Sequence, residues 1–242
     1  MAWSRTRPGT RPPNSRRLVA DGSSALSEYL PDPETDQFPP IHADHVEVID
    51  TEHLLVHIHR TAGDHPMRWD QYRRYGPTAS RFDHHPDGEP AVHPRFGTWY
   101  GGLEQPGGDS AIATSIAEFF QDKRRVSLTS RQPRMVITSP ARSLHLLNLD
   151  SSWITQARGN AAIRSGPRAQ SRKWARAIHR HYPEIDGLTW SSSVYPPGSA
   201  IVLWERRDDP SPFTVPSLNR ELPDVTHVLV RAVNQLRYEI SD

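Results

Sequence analysis

Two hydrophobic periods alternate along this chain instead of occupying separate halves, and that ordering most restricts what it can fold into. Residues 53–60 place Leu54, Val56 and Ile58 at every second position, the period of a strand with one buried face. Arg60 falls in phase with them and is expected to point inward, where a guanidinium needs a carboxylate or a bound phosphate. Residues 61–96 are rich in Gly, Pro and polar side chains and read as long loops, followed by a short strand over 96–100. Beyond a Gly/Pro loop, Asp109 or Ser110 caps a helix whose Ile112, Ile116, Phe119 and Phe120 recur at helical spacing and whose end carries Lys123-Arg124-Arg125. Glu118 lies beside that stripe, at an expected boundary position. Strands follow over 134–138 and 143–149, then a helix opened by Pro167, with Trp174, Ala177 and Ile178 on one face. Residues 188–192 and 200–205 read as paired strands around Pro196-Pro197-Gly198, and a last helix spans roughly 223–238. Strands interspersed with helices and no internal repeat predict an α+β fold.

The chain has 242 residues, enough for a single domain and a tail. Residues 1–20, with five arginines among prolines and glycine, are expected to be disordered, and the acidic, proline-punctuated 21–52 to be an extended lead-in to a domain over 53–242. A mean hydropathy of −0.69 and the absence of an apolar run near the roughly 20 residues of a membrane span lead to an expectation of a soluble protein. No apolar segment follows the basic start, so no secretory signal is read and a cytoplasmic location is expected. With no cysteine there is no disulfide, thiolate nucleophile or cysteine-ligated zinc. A net charge of +1 offers no global field for nucleic acid or anionic lipid.

Several chemistries lack their residues. There is no phosphate-binding loop, and Lys123 and Lys173 are the sole lysines. No Gly-x-Ser-x-Gly elbow is present, and Ser191-Ser192-Ser193 alone reads as a strand end. His57 and His59 form an H-x-H pair that, with His84-His85 or with His179 and His181, is a candidate metal set. The expected helices do not belong in a jelly roll, and both histidines are expected on a half-exposed strand face; a His-ligated metalloenzyme is the less favoured reading, and no metal site is assigned.

Four stretches supply an arginine, a tyrosine, a glutamate and a serine: His57-Ile58-His59-Arg60, Ser80-Arg81-Phe82-Asp83 with Trp99-Tyr100-Gly101, Ile116-Ala117-Glu118-Phe119, and Asp186 through Ser193. In this order, with Gly166-Pro167-Arg168 and Trp174-Ala175-Arg176-Ala177-Ile178 before the last, residues 54–205 resemble the RES domain, the toxin half of a class of bacterial toxin–antitoxin modules. Trp190-Ser191 stands where that family commonly has Tyr-Pro, and Thr61 where some members carry tyrosine. The resemblance implies an ADP-ribosyltransferase-like fold, a split mixed β-sheet flanked by helices. It further implies NAD as a substrate and not a cofactor, with cleavage of the nicotinamide–ribose bond by hydrolysis or phosphorolysis.

The same resemblance carries site roles. Glu118 would stabilise the oxocarbenium-like ribose, Arg60 and Arg81 would hold the pyrophosphate, Tyr100 would stack on nicotinamide, and Ser192 would bond the ribose or carboxamide. The family arginine falls on Arg60 or Arg81, and the family serine on Ser192 or one of its serine neighbours. The implied partner is an Xre-type helix-turn-helix antitoxin, with no membrane and no direct nucleic acid, and with room for a homodimer. Transfer of ADP-ribose to a protein, or an inactive RES-like binding protein, are the alternatives.

Overall fold

A computed structural model describes residues 29–104, 110–206 and 211–242; the expected tail and Asp109 lie outside them. In chain order the strands are β1 (Val46–Ile49), β2 (Leu55–Arg60), β3 (Tyr75–Gly76), β4 (Ala91–Val92) and β5 (Thr98–Leu103). Helix α1 (Ser110–Phe119) precedes β6 (Arg125–Ser127), β7 (Pro133–Thr138) and β8 (Leu144–Asn148). Helices α2 (Trp153–Gln156), α3 (Ala162–Ser165) and α4 (Arg168–His181) lead to β9 (Gly187–Ser191) and β10 (Ser199–Trp204). The chain closes with β11 (Leu218–Glu221), a 3-10 turn at Leu222–Val225, α5 (Thr226–Leu236) and β12 (Glu239–Ser241). Eight strands form one mixed sheet in the order β1-β8-β9-β10-β5-β2-β7-β11, with β8 and β9 parallel and its other pairs antiparallel. The fold is therefore α+β, a large mixed sheet flanked by helices.

The alternation along β10 sets the layers. Ala200, Val202 and Trp204 join a core with Trp153, Trp174 and Ile178, whereas Ile201 and Leu203 point the other way, into a cluster with Leu55, Trp99 and Leu103. A third cluster unites Val56, Ile58 and Met135 with Ile116 of α1 and Leu229 of α5. Helix α1 lies so close to the sheet that a Cβ on Gly102 would come 2.4 Å from the Ala111 carbonyl oxygen, which is why that strand position is glycine.

Several expectations change. The sheet starts at β1, inside the segment read as an extended lead-in, and Leu30 and Phe38 of that segment are core residues. Helix α1 ends at Phe119 instead of running on to the basic run, and it is buried on most sides, Ala113, Thr114, Ser115 and Ala117 included. Its first N–H groups, on Ser110 and Ala111, donate to the two Glu104 carboxylate oxygens at 3.1 and 3.0 Å. An acidic side chain just past the preceding strand thus meets the positive helix end. His57 and His59 are 6% and 4% exposed, not half-exposed, because β2 is an interior strand covered on both faces. Their rings stack on each other at 5.2 Å, with His57 on Trp99 at 4.6 Å, and burial pushes the two imidazoles down to about 3 and about 4.

Candidate active site

The sheet is split where β2 meets β5. These strands keep two register pairs, Leu55 with Leu103 and Val56 with Gly102, and then separate. Beyond the last pair the His57 ring spans the opening and donates its Nδ1–H to the Tyr100 carbonyl at 2.6 Å, a tautomer set by the acceptor-only carbonyl. The separating strands, the end of α1 and the loop over 78–81 enclose a cavity of about 510 Å³. That is within the usual size of small-molecule sites. Arg60, Arg81, Tyr100 and Glu118 all line it; Ser193 does, and Ser192 does not.

Ser192 lies behind Glu118. Its hydroxyl oxygen accepts the N–H groups of Val194 and Tyr195 at 3.2 and 3.0 Å, which leaves its one proton to donate to Glu118 Oε1 at 2.7 Å. A residue just past β9 therefore orients a carboxylate near the end of α1, 74 positions earlier. Burial raises the Glu118 pKa, and the Ser192 hydrogen bond and the charges of Arg81 and Arg168 oppose that rise. The result is a desolvated carboxylate with a fixed orientation facing a cavity.

Arg81 is anchored by its own donors: Nη1 reaches the Gly166 carbonyl at 2.7 Å and Ser171 Oγ at 2.9 Å. The Gly166-Pro167-Arg168 stretch is thereby tied to the site, and Arg168 continues the link by donating to Gln121 Oε1 at 2.7 Å, just past α1. Tyr100 donates its hydroxyl to the Arg81 carbonyl at 3.1 Å, and burial, reinforced by the Asp83 charge, holds its phenol well above the usual range, so it stays neutral.

The backbone at Phe82 takes φ 64°, a region costly for a residue with a side chain, while its buried ring packs 4.6 Å from Trp190. What holds that turn is Asp83, fully buried. It accepts from Arg73 Nη2 at 3.0 Å, from the Thr78 N–H and hydroxyl at 2.8 Å each, and from the His85 N–H at 3.2 Å and ring Nδ1–H. Burial alone would raise its pKa; the His85 hydrogen bond, the Arg73 charge and the Thr78 contact outweigh it and hold the carboxyl well below the usual range.

Arg60 departs from its expected place. It is exposed at the end of β2, and its guanidinium meets the Phe119 ring at 4.7 Å in place of an inward carboxylate. Phe119, Arg73 and Thr78 line the cavity and could not be identified from hydrophobic period: Phe119 has the spacing of a core residue, and the other two sit in aperiodic loops, where Asp83 braces them from behind the wall. Among the described residues, no three His, Asp or Glu side chains converge as a metal set, and His84 instead packs on His179 at 4.2 Å.

No family model matches the chain, and no curated protein matches it. No helix among the described residues is long and apolar enough to cross a membrane. Among solved structures, the chain is similar to the M. tuberculosis MbcT-MbcA toxin-antitoxin complex, at 12% identity with a TM-score of 0.47, over 76% of this chain and 92% of that one.

Proposed function

We propose that this chain is an NAD-degrading enzyme of the RES kind, which breaks the nicotinamide–ribose bond and acts as a toxin restrained by a helix-turn-helix antitoxin. The observation that carries the reading is a desolvated, serine-oriented carboxylate in the same cavity as Arg60, Arg81 and a neutral Tyr100. In the reaction, the bond between the ribose C1′ and the pyridinium nitrogen breaks, and its electron pair leaves with neutral nicotinamide. Positive charge then develops on the ribose, and a carboxylate already stripped of water stabilises it without reorganising. Glu118 supplies that charge. Arg60 and Arg81 bind the pyrophosphate, and Tyr100 offers its ring face to the nicotinamide. Water, phosphate or a protein side chain then takes the ribose carbon.

Ser192, buried behind Glu118, is a positioning residue in this account, and its test follows from the sign of its effect on Glu118. Its hydrogen bond lowers the Glu118 pKa; Ser192→Ala removes that influence and the pKa rises further. The acid limb of the pH–rate profile is expected to move to higher pH, with turnover at neutral pH down about tenfold. A variant that lost activity through folding alone would keep the wild-type limb.

For the toxin reading, the test is induced expression in a bacterial host with total NAD measured over time. Wild type is expected to deplete NAD before growth stops. Growth arrest with NAD at its starting level overturns the proposal.

A further inference from the structure

At one end of the cavity two arginines stand without a carboxylate partner. Arg60 and Arg131 both line it, and among the described residues neither is in an ion pair; Asp64, also on the wall, is paired with neither. Both residues are exposed overall, but the Arg60 guanidinium is partly covered where it faces the cavity, and its pKa is lowered first by that burial and then by the charge of Arg131, so the two repel each other. A protein that leaves two like charges facing one space holds an unfavourable interaction that a bound anion reverses.

The local backbone is organised to keep Arg131 there. Arg131 and Gln132 take φ 61° and 48°, two successive side-chain-bearing residues in the left-handed region. Their carbonyls are taken by the segment just after Arg60: the Thr61 N–H and hydroxyl donate to Gln132 at 3.2 and 3.0 Å, and the Ala62 N–H to Arg131 at 3.2 Å. Gly63, at φ 111°, leaves room for the Arg131 stem, since a Cβ there would lie 3.3 Å from its Cδ. The turn before β7 is thus stitched to the end of β2, and the two guanidinium groups reach one cavity, one from the end of β2 and the other from that turn.

We propose that Arg131 is a further substrate-binding residue that adds, beside Arg60, a second fork to the diphosphate contacts given above to Arg60 and Arg81, completing a clamp; the ligand's identity rests on the NAD reading above. Each guanidinium offers a planar fork of donors, and two forks match the oxygens of a diphosphate better than a single phosphate. The Phe119 ring, 4.7 Å from the Arg60 guanidinium carbon, accepts no conventional hydrogen bond and so leaves the donors of that fork for the ligand.

The test is calorimetric binding of ADP and of inorganic pyrophosphate to wild type, Arg131→Gln and Arg131→Lys, each with a thermal melt. Wild type is expected to bind both, Arg131→Gln to bind ADP about ten- to a hundredfold more weakly with an unchanged melt, and Arg131→Lys to recover part of the loss. Unchanged ADP affinity in Arg131→Gln, or no binding of either ligand by wild type, overturns the clamp. The two readings fail separately. Wild type that binds ADP through Arg131 yet leaves NAD intact sinks the NAD-cleaving reading alone, and NAD cleavage with ADP affinity indifferent to Arg131 sinks the clamp alone.

Discussion

Glu118→Gln is expected to lower NAD turnover by about 10²–10³-fold or more, the scale on which loss of a preorganised electrostatic contact at the reacting centre acts. Glutamine retains the shape and an oxygen that can accept from Ser192 Oγ, so the fold is expected to persist. The charge alone is lost. Stability supplies an independent readout of the same substitution. Because burial raises the Glu118 pKa, the folded state holds that proton more tightly than the unfolded chain does. This contribution to stability is fully present below the unfolded carboxyl pKa and is lost as pH rises through the folded one. Wild type minus Glu118→Gln, followed by thermal melts from pH 4 to 8, is therefore expected to decline with pH. At neutral pH the variant is expected to be at least as stable as wild type, while turning over far less NAD. A variant that melts lower throughout and loses activity in proportion would assign Glu118 to the scaffold.

Asp83→Ala is expected to do the reverse, acting first on the fold. The Asp83 carboxylate is fully buried and gathers donors from Arg73, Thr78 and His85, so its removal leaves the Arg73 guanidinium with the Tyr75 carbonyl but no carboxylate, and the Thr78 hydroxyl without its acceptor. Breaking one side of a buried ion pair costs about 3–5 kcal/mol. For a domain of this size that corresponds to a melting temperature lower by about 6–20 °C. The effect extends to the site, because the turn at Phe82 joins Asp83 to Arg81, and Arg81 holds both the Tyr100 hydroxyl and the start of α4. Asp83→Asn, which keeps an acceptor but no charge, is expected to lose less. Thermal denaturation at pH 7 checks both. Melting temperatures within about 2 °C of wild type for Asp83→Ala would contradict the role given to this network.

Legibility in the sequence followed local period. The strands β2, β7, β8, β9 and β10 and the helix after Pro167 were readable within a residue or two, because each carries its own alternation or stripe. The class α+β followed from their order. The split between β2 and β5 is written in no local period, since the neighbours in the sheet are 43 positions apart at the His57–Tyr100 contact. His57 and His59 depart from expectation for a physical reason: alternation implies one wet face, and an interior strand has none. Arg60 was misjudged by the same rule at a strand end, where the sheet stops covering it. Glu118, Ser192, Arg81 and Tyr100 were nameable as residues. That Ser192 acts on Glu118 and that Asp83 braces the Arg81 turn are facts of tertiary contact, absent from spacing. Arg131 sits in a turn whose conformation no residue preference announces, with arginine and glutamine in the left-handed region in place of glycine.

The most direct measurement is NAD consumption by the purified protein, with nicotinamide, ADP-ribose and phosphorylated ADP-ribose resolved by chromatography, in phosphate-free and phosphate buffers, and the protein checked for covalent ADP-ribose. Wild type is expected to release free nicotinamide catalytically and Glu118→Gln is not, with the second product naming the acceptor. Folded wild-type protein that leaves NAD intact in both buffers would contradict the NAD-cleaving reading.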